Sequence, residues 1–195
     1  VNNYEQIAER PDIKLVDYTA DIYNSAEYAQ ISVSPIEQLV LTGGLRYDNM
    51  KVDYDNALDT SIGTKIYDKV TFKAGANFNP STYFGFYANY AQGFAPPGIT
   101  SIFRAKPGTG GTTGKPAEFY YNLEPATFDN YEAGGWINVL KNKLYFDYAI
   151  YYMDGKNELL SIRQPDNSTD FQSAGETRHK GVEFGFSYRP SEQLH

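Results

Sequence analysis

Apolar and polar residues alternate with a period of two along five separate stretches of the chain. In the clearest stretch, one set of alternate positions is Leu144, Phe146, Tyr148, Ile150 and Tyr152, and the other is Lys143, Tyr145, Asp147, Ala149 and Tyr151. Successive side chains of a β-strand point to opposite faces, so this period predicts strands with two differently solvated faces. The same pattern recurs around Leu41, Phe72, Phe86 and Phe184. No helix of useful length is predicted.

Short turns and long polar connections alternate between these strands. The predicted turns are residues 34–37, 79–82, 140–143 and 190–193, and the long connections cover roughly residues 55–65, 93–127 and 164–169. Turns at one end and long loops at the other are typical of outer-membrane β-barrels, in which the turns are periplasmic and the loops extracellular. The alternation of connections therefore favours a membrane barrel over an ordinary sheet.

The predicted fold class is all-β, an antiparallel transmembrane β-barrel wall that forms part of a larger barrel and contributes about seven strands. Arg46, Lys73, Asp147 and Glu183 all fall on the polar face, as a water-filled lumen would allow. A tilted strand needs only about 9–11 residues to cross a bilayer, so some of these strands are long enough to project beyond it. The chain has no 18-residue apolar segment, which excludes helical spans.

Composition narrows the chemistry further. The 195 residues include 18 Tyr, 12 Phe and one Trp, and we interpret the tyrosines as interfacial girdle residues. A formal net charge of −7 disfavours a nucleic-acid partner. The chain has no Cys, and its two His, His179 and His195, are far apart. We therefore expect no thiolate catalysis and no metal site.

Four motifs occur in the order found in one known family. They are Leu41–Asp48 (Leu-Thr-Gly-Gly-Leu-Arg-Tyr-Asp), Tyr90–Pro97 (Tyr-Ala-Gln-Gly-Phe-Ala-Pro-Pro), Asn122–Pro125 followed by Asn130–Gly134, and Ala174–Glu183. They resemble the carboxy-terminal barrel half of TonB-dependent outer-membrane receptors, especially those for ferric siderophores. The departures are modest, with Ala126 in place of the usual Glu.

This resemblance implies a barrel of about 22 strands whose lumen is filled by a plug. A ferric siderophore would bind from outside, and the TonB energy complex would pull on the plug. This transport needs no covalent chemistry, so the resemblance further implies no cofactor and no catalytic residue. We expect residues 1–195 to be one partial β-barrel domain of a longer protein in the bacterial outer membrane, without the plug domain and the terminal closing strand. The implied partners are outer-membrane lipid, the ferric siderophore or a similar small ligand, and TonB through the plug.

The loop over residues 93–127 is the candidate binding region, because it exceeds the roughly 12–15 residues beyond which a loop is usually functional or disordered. The candidate contacts are Phe103, Arg104, Lys106, Lys115, Tyr120 and Tyr121, with Phe119 beside them. The resemblance suggests anionic ligands with aromatic faces, which basic and tyrosine side chains suit. The alternative is a solvated loop whose aromatics pack on neighbouring loops.

Two other readings remain open from the residues alone. A soluble all-β carbohydrate-binding or glycan-processing domain would pack its apolar-face aromatics into a closed core. A complete eight-strand barrel would require a terminal aromatic strand, which is missing. Glu132, Asp147 and Glu183 lie on separate strands, so we expect them to meet Arg46, Lys73, plug residues or water rather than form a catalytic acid pair.

Overall fold

The computed structural model describes residues 17–58, 61–110, 114–140, 143–165 and 167–190. Seven strands form one antiparallel sheet in which each strand pairs with its neighbours in chain order. The strands are β1 Tyr18–Ile36, β2 Leu39–Asn56, β3 Ile62–Ser81, β4 Phe84–Ala95, β5 Ala126–Val139, β6 Leu144–Arg163 and β7 Thr169–Tyr188, and the one-turn helix α1 is Ile99–Ile102. The prediction of an all-β antiparallel wall of about seven strands is confirmed.

The connections alternate in length as predicted. Residues 37–38, 82–83 and 140–143 make the short turns, while residues 57–61, 96–125 and 164–168 connect the strands at the opposite end. The first of these loops is shorter than predicted because β2 and β3 stay paired as far as Asp55 and Ile62. The polar residues at its predicted ends belong instead to the paired strands β2 and β3. The fourth predicted turn, 190–193, lies outside the described residues except for Pro190.

Proline interrupts the strand pairing next to two of the turns. The register between β1 and β2 shifts between Val33 and Ile36, around Pro35, and the register between β3 and β4 shifts between Phe78 and Ser81, around Pro80. A proline has no backbone N–H to donate to a neighbouring strand, so it is tolerated at such irregularities. The prolines therefore end the regular pairing just before the chain turns.

The strand register brings like residues together on each face. Leu45 pairs with Phe72, and Arg46 pairs with Thr71, so the apolar and polar sets extend from strand to strand. We call the face with Leu45 and Phe72 the apolar face and the face with Arg46 the polar face. On the apolar face, Phe184 is 70% exposed and Phe186 is 77% exposed. In the described ranges no second layer covers these rings, contrary to what a soluble domain with a closed core requires.

The buried apolar cluster lies on the polar face, at the end of the sheet that carries the longer loops. It comprises Val52, Tyr54 and Tyr67 from β2 and β3, and Ile102, Phe103 and Phe119 from the loop between β4 and β5. Alternation places Val52 and Tyr54 on the same side as Arg46. The loop is therefore packed against the polar face of β2 and β3 at this end of the sheet.

No helix in the described part of the chain is long and apolar enough to cross a membrane.

Candidate ligand-binding loop

The β4–β5 loop, residues 96–125, has internal structure of its own. It leaves β4 at Pro96 and Pro97 and enters α1, whose end is buried at Ile102. Residues 102–106 and 118–120 then run side by side and form the two arms of the loop. The Tyr120 backbone N–H donates to the Ile102 carbonyl at 2.9 Å, and the Lys106 N–H donates to the Glu118 carbonyl at 2.8 Å. These bonds make the loop a folded unit rather than a solvated connection.

One side of the loop is fixed to β2 and β3. The Phe103 ring stacks on Tyr54, with ring centroids 4.6 Å apart and planes 1° from parallel. Lys65 Nζ donates to the backbone carbonyl of Tyr121 at 2.5 Å, and the Tyr67 hydroxyl donates to the carbonyl of Leu123 at 3.1 Å. Stacked rings and buried hydrogen bonds together hold this arm against the sheet.

The space for the Phe103 ring depends on a glycine in β3. A Cβ built on Gly63 would lie 2.6 Å from the Phe103 ring, inside van der Waals contact. Any larger residue at position 63 would push the ring away from the sheet. Gly63 therefore leaves the space on β3 in which the Phe103 ring of the loop packs.

The other side of the loop is fixed to β6 and β7. The Glu124 backbone N–H donates to Ser173 Oγ at 2.9 Å, and the Ser173 hydroxyl donates to the Glu124 carbonyl at 3.0 Å. Asn157 Nδ2 also donates to a Glu124 carboxylate oxygen at 3.1 Å, and the Tyr120 ring meets Phe171 edge to face at 5.6 Å. The loop thus bridges from β2–β3 to β6–β7 across the polar face.

A cleft of about 710 Å³ separates the loop from the β6–β7 hairpin. Its lining includes Lys106, Tyr120 and Asn122 from the loop, and Gln164, Asp170 and Phe171 from the hairpin. A volume between about 300 and 1,000 Å³ is usual for small-molecule sites. The lining supplies one ammonium group, one carboxylate, side-chain amides and aromatic surface, which suits a polar ligand that carries a ring.

Basic side chains lie over two of the cleft's aromatic rings. Lys106 Nζ is 5.8 Å from the centroid of the Tyr120 ring, and the Arg104 guanidinium is 5.6 Å from the centroid of Phe171. Cations at such distances are attracted to the ring face. These pairs hold positive charge at the rim and wall of the cleft.

The structure separates the six predicted contact residues. Lys106 and Tyr120 line the cleft, and Arg104 is exposed beside it. Phe103 and Tyr121 lie at the β2–β3 side, where Phe103 is buried and Tyr121 is 40% exposed. Lys115 is exposed and does not line the cleft. Asn122, Gln164 and Asp170 also line the cleft and were not among the predicted contacts. The last two approach the loop only in the folded chain, so the local sequence contained no signal for them.

Arg46 and Glu132, elsewhere on the polar face, have partners within the sheet other than each other. Arg46 donates to both carboxylate oxygens of Asp48 on its own strand at 2.7–2.9 Å, so it does not pair with Glu132. Glu132 instead accepts a hydrogen bond of 2.7 Å from the Tyr87 hydroxyl. No cluster of three His, Cys, Asp or Glu able to hold a metal occurs among the described residues.

Tyrosines on the apolar face form a row across three strands. Tyr131 pairs with Tyr90 on one side and Tyr152 on the other, at ring distances of 5.0 and 6.3 Å. The Tyr90 hydroxyl donates to Asp129 at 2.7 Å, and the Tyr152 hydroxyl donates to Asp154 at 2.9 Å. Tyrosines are enriched at membrane–water interfaces, where the ring lies in the apolar region and the hydroxyl contacts polar groups such as these carboxylates.

An antiparallel sheet with an exposed apolar face, an aromatic row at its border and a polar face partly covered by a folded loop defines a section of a membrane β-barrel wall. The chain belongs to the TonB-dependent receptor family: residues 2–194 match the family described as "TonB dependent receptor-like, beta-barrel". This is a family of receptors and transporters located in the outer membrane, and the chain is part of such a barrel.

The curated relatives are receptors for one class of iron chelate. The chain is 26% identical over 180 residues to the catecholate siderophore receptor Fiu of Escherichia coli (strain UTI89 / UPEC), a match that covers 81% of this chain and 22% of that protein. The same identity and coverage hold for Fiu of Escherichia coli (strain K12). The chain therefore spans about a fifth of the length of the curated relatives it matches.

Solved structures show the same barrel wall. The ferric-catecholate import receptor Fiu from K12 E. coli superposes with a TM-score of 0.68 at 21% identity, over 90% of this chain and 26% of that one. The siderophore receptor PiuA from Acinetobacter baumannii gives 0.69 at 23% identity, over 90% and 24%. The copper transporter OprC gives 0.70 at 19% identity, over 89% and 27%. At these identities the likeness establishes the fold and leaves the substrate to other evidence.

Proposed function

We propose that the chain is part of an outer-membrane active transporter that imports a ferric siderophore, and that the siderophore is of the catecholate type. The observation that carries this proposal is the family match along almost the whole chain. The curated relatives, named as catecholate siderophore receptors, support the choice of substrate. The folded β4–β5 loop, with its cleft and basic side chains, supplies a region suited to an anionic ligand that carries rings.

The remainder of the transport machinery would lie elsewhere in the receptor. We propose that residues 1–195 are one partial barrel domain and that a plug, contributed by another part of the receptor, fills the lumen on the polar face. TonB would act through that plug, and the apolar face would contact outer-membrane lipid. The exposed rings of Phe184 and Phe186 support the lipid contact. Glu132 and Asp147 on the polar face are available to a plug.

Uptake of radioactive iron tests this proposal. Cells that express the complete receptor, in a strain without other catecholate receptors, are given iron bound to a catecholate or to a hydroxamate chelator. We expect TonB-dependent accumulation of iron from the catecholate and little from the hydroxamate. Equal uptake with and without the receptor, or uptake that persists without TonB, would contradict the proposal. Import of copper instead of iron would also contradict the proposal, and it would match the substrate named for the copper transporter OprC, which has the same fold.

A further inference from the structure

The Tyr120 hydroxyl is a buried polar group without a hydrogen-bond partner among the described residues, and Tyr120 borders a cleft that a ligand could enter. Tyr120 is 3% exposed, and its hydroxyl has no hydrogen-bond partner within the part of the chain that the structure describes. A buried polar group without a partner costs free energy, of the order of 1–3 kcal/mol, so such groups call for a specific reason. The ring itself lines the 710 Å³ cleft.

The surrounding charges keep this hydroxyl a donor. Burial, together with the Asp170 carboxylate, raises the pKa of Tyr120 to about 12. The Asp170 carboxylate is near enough to attract the hydroxyl proton and to raise its pKa, although the contact falls outside the distance and angle of a formed hydrogen bond. The group therefore stays protonated at any physiological pH and can donate to an acceptor that enters the cleft.

The other lining groups define what that acceptor belongs to. Lys106, over the Tyr120 ring, adds an ammonium group, which favours an acceptor oxygen with negative charge. Asp170 adds an acceptor at the hairpin side, which favours an N–H on the same ligand. Phe171 adds an aromatic surface. An aryl ring with anionic oxygens and a neighbouring amide N–H meets all three conditions.

We propose that the cleft between the β4–β5 loop and the β6–β7 hairpin binds one catechol-amide arm of the ferric siderophore, with the Tyr120 hydroxyl and the Lys106 ammonium on its oxygens. This inference rests on the proposed function. The bound arm supplies the hydrogen-bond partner that the hydroxyl lacks among the described residues.

The test compares Tyr120→Phe with the wild-type complete receptor purified in detergent. The probe is the ferric complex of N-methyl-2,3-dihydroxybenzamide, and binding is measured at equilibrium with radioactive iron. We expect the substitution to weaken binding about tenfold, as for the loss of one hydrogen bond to a charged acceptor. Lys106→Met is expected to weaken binding by a similar factor. Tyr23→Phe, an exposed tyrosine on β1, is the matched control and leaves affinity unchanged.

Thermal unfolding without ligand separates this role from a structural one. Removing an unsatisfied buried hydroxyl relieves a cost, so Tyr120→Phe is expected to unfold at the wild-type temperature or above it. A clear loss of stability without ligand would show a structural role and overturn the inference. Wild-type affinity in Tyr120→Phe would overturn it as well, while leaving the proposed function standing. If the wild-type receptor neither binds the probe nor imports ferric catecholate, the proposed function fails and the inference with it.

Discussion

Glycines on the polar face give room to large side chains from neighbouring strands. A Cβ on Gly134 would meet the backbone carbonyl of Tyr148 and lie 2.8 Å from the Tyr87 ring, and a Cβ on Gly181 would lie 2.6 Å from the Tyr151 hydroxyl. In each case a tyrosine lies flat across the glycine instead of projecting into the lumen. The missing side chain at Gly134 thus leaves the space in which Tyr87 lies and donates to Glu132.

Gly134→Ala is expected to destabilise the barrel by about 1–3 kcal/mol, because the new methyl group is directed at backbone that cannot move without disturbing β6. The measurement is the temperature at which the complete receptor loses its compact, fast-migrating form in detergent gels. Gly43→Ala is the matched control, since a Cβ there meets nothing within 4 Å among the described residues. Equal melting temperatures for the two variants would show that the Tyr148 carbonyl and the Tyr87 ring can move to make room for a methyl group at position 134.

At the scale of elements, the β4–β5 loop is held by contacts between residues distant in sequence. Lys65 and the carbonyl it binds on Tyr121 are 56 residues apart, as are Tyr67 and Leu123. The rings of Phe103, Phe119 and Tyr54 form the centre of this attachment. The loop thus behaves as an additional packed element, and these aromatic side chains hold it in its folded position.

Phe103→Ala is expected to release the loop from β2 and β3, since deleting a buried phenylalanine ring costs about 3–5 kcal/mol. Trypsin reports this opening on intact cells. Arg104 is the susceptible site, because Lys106 and Lys115 each precede a proline and resist cleavage. Cleavage after Arg104 should become much faster in Phe103→Ala, because proteolysis requires local unfolding.

Thr100→Ala, an exposed position in α1, is the control for this experiment and should be cleaved at the wild-type rate. An unchanged rate in Phe103→Ala would mean that the hydrogen bonds from Lys65 and Tyr67 hold the loop without the stacked ring.

At the scale of the whole molecule, the sheet is an open wall that requires neighbours. In the described residues β1 pairs only with β2, and β7 only with β6. An unpaired strand edge exposes backbone hydrogen-bonding groups, and a closed barrel removes such edges. The apolar face, with Phe184 and Phe186 exposed, likewise requires lipid. Stability of the wall therefore depends on the remaining strands and on the membrane.

Single cysteines test this arrangement, because the chain has none of its own. In the complete receptor in outer membranes, Phe146→Cys should react with a lipid-soluble thiol reagent and resist a membrane-impermeant one. Asp147→Cys, one residue along the same strand, should differ because it faces the lumen. Leu144→Cys and Tyr148→Cys should follow Phe146, and Tyr145→Cys should follow Asp147. Identical labelling of all five by the impermeant reagent would exclude a membrane wall.

Sequence alone determined the strands, their two faces and the family. Leu144, Phe146 and Tyr148 alternate with Tyr145 and Asp147 because side-chain direction in a strand is a local property of the backbone. Proline-containing turns and the four ordered motifs are equally local. The tertiary structure decided where the β4–β5 loop lies, since nothing near Phe103 in the chain indicates that its partner is Tyr54. It likewise decided which residues share a cleft, because Tyr120 and Asp170 come together only after the β4–β5 loop has folded beside the β6–β7 hairpin.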